Sequence, residues 1–204
     1  MGQDALCYVA KGVWASLESS LGALVTSSLL MLSLTFISMY LKPEAIEGFL
    51  SSLAGFPRFS FLLFLALVTT LNPLLIGFII GTFSSIAASR SLVTRVKQLR
   101  RSEFCLASEA LGASNFTLFK SHCLKHISSF LRRFVAISSA MAVYAEAGAS
   151  MLGLEDPSVP SVGKLYALVE STPGAILTKA GQVQVLASVI ITVLIGLMVY
   201  VLLK

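Results

Sequence analysis

The chain has little charge: 12% of its 204 residues are Asp, Glu, Lys or Arg, where soluble domains carry about a quarter. With 56% hydrophobic residues and a mean hydropathy of +0.87, a soluble globular domain is excluded. Three cysteines, Cys7, Cys105 and Cys123, make no disulfide framework. No Gly-rich loop ending in Gly-Lys-Ser/Thr is present, so no such nucleotide site is expected in this chain. The start, Met1 to Leu21, lacks a signal peptide's basic n-region and apolar core, because Asp4, Lys11 and Glu18 interrupt it. His122, Cys123 and His126 share one helical face but have no second ligand pair, so they read as surface polar residues, and no metal site is expected.

What is present is a set of uncharged runs of bilayer length, and the expectation is an all-α integral membrane protein with about five transmembrane helices. Residues 21–41 form the first span, with Trp14, Tyr40 and Lys42 at its interfaces. Residues 59–89 contain no ionisable side chain; as one helix they would run roughly 45 Å at ~1.5 Å per residue, beyond a ~30 Å hydrocarbon core. Asn72-Pro73 near the middle favours a hairpin, giving spans 56–71 and 74–88, over one long kinked helix. A fourth span, 134–154, is rich in Ser, Ala and Gly, which suits close packing inside a bundle. The punctuated stretch 154–181 has mixed charges at Glu155, Asp156, Lys164, Glu170 and Lys179 and is expected as an external loop. Residues 183–203 form the last span, with Ser188, Thr192 and Gly196 on one stripe.

Between the third and fourth spans lies the only long basic interval, 90–133. It holds Arg90, Arg95, Lys97, Arg100, Arg101, Lys120, Lys125, Arg132 and Arg133 against the acids Glu103 and Glu109. Such an interval belongs on the cytoplasmic side. The amino terminus is then outside the cell membrane and the carboxyl terminus is cytoplasmic. The interval lacks interleaved aromatic stacking residues and lies between spans, so nucleic acid is not the expected partner. Within it, Glu103 to Lys125 reads as two short helices. Gly112 ends the first and Ser114 caps the second.

This helix–turn–helix resembles the cytoplasmic coupling loop of binding-protein-dependent ABC transporter permeases, in the dipeptide/oligopeptide/nickel branch. Leu106-Ala107-Ser108 stands in the place of that family's Glu-Ala-Ala, Gly112 is its glycine, and the tract Ala110 to Ser114 matches best. His122-Cys123-Leu124-Lys125 stands where the family has His-Ile-Leu-Pro. A second region, Ala145 to Leu154 (AEAGASMLGL) followed by PSVPSVG, resembles the family's Ala-Glu-Ala segment. Gly2-Gln3-Asp4 resembles its Gly-x-Asp motif, which in the family follows an earlier span and an external loop that are missing here. The resemblance implies a permease subunit of an ATP-driven importer of peptides or similar small solutes. It implies docking to a separate ABC ATPase, which binds the ATP, through Glu103, Leu106, Ala107, Ser108, Glu109, Ala110, Leu111, Gly112, Ala113 and Ser114. It also implies a second permease subunit and an extracytoplasmic solute-binding protein, with no cofactor and no catalytic residue in this chain.

Glu146 is the only carboxylate in the expected spans, and an acid at membrane depth is a pathway candidate. The bland alternative is a carboxylate hydrated near the outer interface. Two other classes compete with transport. A membrane enzyme would need several converging polar groups at membrane depth, and only Glu146 offers itself. A non-transporting scaffold, a remnant of a permease, would retain the spans while losing the ATPase.

Overall fold

Asn72 and Pro73 divide the uncharged run, as their chemistry dictates. Asn72 is extended (φ −108°, ψ 159°) and its side-chain oxygen accepts from the backbone N–H of Leu75 at 2.7 Å. Proline follows at the first helical position, where its missing N–H costs nothing. The computed structural model describes residues 5–41 and 43–171, and beyond them 174, 177–179, 181–183, 185–186, 190–191, 194, 198 and 201. The Gly2-Gln3-Asp4 motif lies outside the described residues, as does most of the expected 183–203 span, with Ser188, Thr192 and Gly196.

The order is α1 (Ala5–Ile37), α2 (Pro43–Ala54), α3 (Arg58–Val68), α4 (Pro73–Arg100), α5 (Glu103–Ala110), α6 (Asn115–Leu118), a π-helical turn (Phe119–Cys123), α7 (Leu124–Met151) and α8 (Val162–Ser171). Among the described residues there is no strand, only an isolated bridge between Leu71 and Glu155. The chain is an all-α membrane protein. Three helices are long and apolar enough to cross a bilayer: Ala10–Ile37, Pro73–Arg100 and Asn115–Met151. The pair α2 and α3, bent by 65°, makes a fourth crossing if taken as one broken span.

The helices are not bounded as the uncharged runs are. α1 starts well before residue 21 and stops at Ile37, α4 continues past residue 88 to Arg100, and α7 begins ahead of residue 134. Charge ends a hydrophobic run, but it does not end a helix; α4 meets no Pro or Gly between Gly81 and its last residue. At ~1.5 Å per residue the 11-residue α3 spans only roughly 16 Å, so it needs α2 to complete a crossing. About half of the expected 90–133 interval is thus the ends of α4 and α7, with an elbow of short helices between them.

α1 and α4 run parallel and cross at close backbone approach. A Cβ on Gly77 would overlap the Ser19 carbonyl, and one on Gly81 would lie 2.9 Å from the Ala23 carbonyl. In lipid, such backbone proximity is the main source of helix association, because tails are as apolar as Leu. α7 returns antiparallel, placing Ser138, Ala142, Ala149 and Ser150 in the interior. α2 and α3 also run antiparallel to α4: Thr94 donates to Glu47 at 2.8 Å, and Phe56 stacks on Phe83 at 5.8 Å. Leu67 and Val68, at 87% and 71% exposure, face outward as lipid-contacting residues should.

The crossing makes a prediction. Gly77→Ala should destabilise the chain by roughly 1–3 kcal/mol through overpacking. Gly148→Ala, where an added Cβ meets nothing within 4 Å, should be neutral or stabilising by up to ~1 kcal/mol. Unfolding in mixed micelles checks both; equal losses would remove the crossing from the account.

Candidate functional site

Two polar regions occupy opposite ends of the bundle. At one end the chain leaves α4 through Arg101 and turns at extended Ser102 (φ −74°, ψ 148°) into α5. α5 ends where sequence chemistry requires. Gly112 has φ +84°; its N–H donates to the Glu109 carbonyl at 2.9 Å, and that of Ala113 donates to the Ser108 carbonyl at 3.0 Å. This is the left-handed glycine closure of a helix. Two residues on, the Ser114 hydroxyl accepts from the Thr117 N–H at 3.2 Å and starts α6.

The elbow is pinned on one side. Arg100 donates to the Met39 carbonyl at 2.9 Å and pairs with Glu109 at 3.0 Å. An ion pair this exposed adds at most ~1 kcal/mol, so its main effect is on orientation. Phe104 lies against His122 and His126, with centroids at 5.4 and 5.8 Å, and Ser108 approaches His122 at 3.4 Å. Cys105 and Cys123 are buried beneath, and Phe36 of α1 meets Phe119 edge-on at 5.2 Å.

The other side is open. Glu103, Leu106, Ala107, Ala110 and Leu111 are exposed, Leu106 by 51% and Leu111 by 89%. Their spacing of three and four residues places them on one face of α5. Gly112 and Ser114 are exposed too, whereas Ser108, Glu109 and Ala113 are half-buried on the pinned side. The sequence-selected stretch therefore divides into a presenting face and an anchoring face. The π turn that follows, between α6 and α7, carries no signal in the sequence.

At the opposite end, Glu146 is fully buried, so the hydrated alternative does not describe it. Ser16 of α1 donates to its Oε2 at 3.0 Å, and Ser161, just before α8, donates to its Oε1 at 2.6 Å. Ser161 accepts in turn from the Gly163 N–H at 3.1 Å. Glu155, 3% exposed, accepts from Ser150 at 2.7 Å through Oε2, while its Oε1 has no partner among the described residues. Lys164 donates to the Val159 carbonyl at 2.6 Å and to that of Asp156, whose N–H reaches the Leu71 carbonyl. Residues 154–164 are thus not a freely solvated loop. Glu155 and Ser161 are buried against the end of α7, and Lys164 ties the turn between them together.

Residues 43–204 match the family described as binding-protein-dependent transport system inner membrane component. The chain belongs to this family. It is 26% identical over 177 residues to the oligopeptide transport system permease protein OppC of Mycobacterium bovis, and equally to those of two Mycobacterium tuberculosis strains. The match covers 82% of this chain and 60% of each relative, so the chain spans less than two-thirds of their length. As a member of this transport family, it is a multi-pass membrane permease component. The two regions that carried the resemblance, around Gly112 and around Glu146, are the two polar ends of this permease fold.

Burial raises the Glu155 carboxyl to about 7, and the nearby Glu146 adds to the shift; Ser150 and Lys164 offset it in part. Unfolded, the group titrates near 4.5. Between these pH values the native chain holds a proton that the unfolded chain has released, so stability should fall as pH rises through that window and level off above it. Glu155→Gln keeps the shape and removes the titration. Thermal melting in detergent at about pH 5 and about pH 8 should therefore show a flatter profile for the variant. An unchanged slope would place the titration elsewhere.

Proposed function

We propose that the chain is the permease subunit of an ATP-driven importer of peptides or similar small solutes. It couples to a separate ATPase through α5 and the turn into α6. One observation carries this reading: the exposed face of Leu106, Ala107, Ala110 and Leu111 stands on a short helix whose opposite face is pinned to Arg100 of α4, His122 of the π turn and His126 of α7. Small residues allow a partner's backbone to come close, and two leucines supply apolar contact. A pinned helix passes displacement to the spans that hold it, as alternating access requires. The relatives' printed name supports peptides as the solute class.

In this reading the basic end, with Arg90, Arg95, Arg100 and Arg101, is cytoplasmic, and the start of α1 and all of α8 lie outside. An extracytoplasmic solute-binding protein meets the α8 end, and a second permease subunit completes the pathway. ATP binds only to the partner ATPase. Glu146 serves the pathway as the bolt between α1, α7 and the approach to α8, holding the outer side closed.

Leu111→Asp and Ala107→Asp should each insert normally and weaken ATPase capture about tenfold or more, since an unpaired carboxylate buried at a docking surface costs roughly 1–3 kcal/mol. Gly112→Val should act through the backbone alone. Nothing lies within 4 Å of an added Cβ, but φ +84° strains any β-branched residue, by about 1–2 kcal/mol. Copurification with the ATPase and ATP-dependent uptake into vesicles measure both effects. Full capture and uptake by all three variants would leave the scaffold reading in its place.

A further inference from the structure

A cavity of about 500 Å³ opens between α1, α7 and the segment holding Ile191, Leu194 and Met198. Its walls are mostly hydrocarbon, and of the four serines among them all but Ser20 are spent; Ser16 donates to Glu146. Ser28 and Ser139 turn their hydroxyls to the Val25 and Val135 carbonyls of their own helices, at 3.0 Å each. A polar solute would leave its own donors and acceptors unmatched here.

The cavity has one charged end. Arg132 lines it, is exposed, and makes no hydrogen bond or ion pair to another described residue. Its depth follows from helix rise. Arg90 lies roughly 26 Å along α4 from Pro73, and Arg132 roughly 28 Å along α7 from Met151, each close to a ~30 Å hydrocarbon core. Both arginines therefore stand at headgroup level on the α5 side. From Arg132 the lined stretch of α7 runs to Val143, roughly 16 Å, and that of α1 runs from Ser28 to Val13, roughly 22 Å, which is one leaflet and part of the next.

We infer that this groove binds one acidic phospholipid of the α5-side leaflet, with its phosphate on Arg132 and an acyl chain along Leu24 and Val135. Charge, depth and lining agree on that occupant. The headgroup neutralises a cation that the described protein leaves unpaired, and the chain fills a wall in which only the Ser20 hydroxyl lacks a partner among the described residues. Such basic-ended grooves between spans are chemically suited to acidic lipids. The charged end of the site is separate from the ATPase-facing face of α5, and its far end reaches Ser16, the donor to Glu146.

The test is native mass spectrometry of the full chain in mild detergent, with dioleoyl phosphatidylglycerol and dioleoyl phosphatidylcholine as probes. Phosphatidylglycerol should be retained in preference. Arg132→Ala should weaken its retention about fivefold, the effect of one basic residue near an acidic lipid surface. Arg133→Ala, one position outside the groove, should leave it unchanged, and Arg132→Lys should keep most of it. Ser139→Trp should fill the groove and lower retention at unchanged helix content. Equal retention of the two lipids, or equal losses from the two alanine variants, would overturn the proposal. So would crosslinking of Ser20→Cys to a second permease chain in vesicles, since the groove would then hold protein.

Discussion

Everything in this bundle depends on how closely α1 can approach α4. Lipid tails provide no hydrophobic incentive for two helices to meet, so contact must come from packing at short range. Gly77 and Gly81 provide it by letting the α4 backbone lie on the carbonyls of Ser19 and Ala23. With that crossing in place, α7 packs into the angle between the two, and α2 with α3 covers the far side of α4. Met31 of α1 and Met39, just beyond it, cluster with Leu92 and Val96 of α4 and Ile127 of α7, forming the apolar floor beneath the elbow.

The two polar ends are then consequences of helix direction. α1 and α4 both run toward the elbow and α7 runs away from it, so residues distant in sequence arrive side by side. Ser16 meets Glu146 across 130 positions, and Arg100 meets the Met39 carbonyl across 61. The ends differ in kind. The elbow holds its polar groups at the surface and exposes an apolar face, as a docking element would. The Glu146 end hides two carboxylates and exposes little of them, as a closure would. In the proposed function, the long helices joining the two would carry a displacement at one to the other.

Local chemistry was the most readable part of the sequence. Asn72-Pro73, Gly112 and Ser114 each act through atoms within a few residues, and each does in the structure what its side chain dictates. Helix ends were less readable, because Arg90 and Glu18 mark the edge of the hydrophobic runs but leave helices α4 and α1 uninterrupted. The Gly77-Phe-Ile-Ile-Gly81 spacing was a visible signal for the main crossing, yet its partner on α1 was not, since pairing is a long-range property. The same limit hid the Ser16–Glu146–Ser161 contact. Polar composition in 154–161 suggested exposure, whereas Glu155 and Ser161 are buried there. The division of the Glu103–Ser114 stretch into a presenting and an anchoring face needed the partners Arg100, His122 and His126, which only the fold supplies.

Hydrogen exchange of the chain in nanodiscs, alone and with its ATPase subunit bound, tests the central claim most directly. The account predicts slowed exchange across residues 103–114 on ATPase binding, strongest at the amides around Leu106 to Leu111. Protection confined to other segments, with 103–114 exchanging as fast as in the isolated chain, would contradict it.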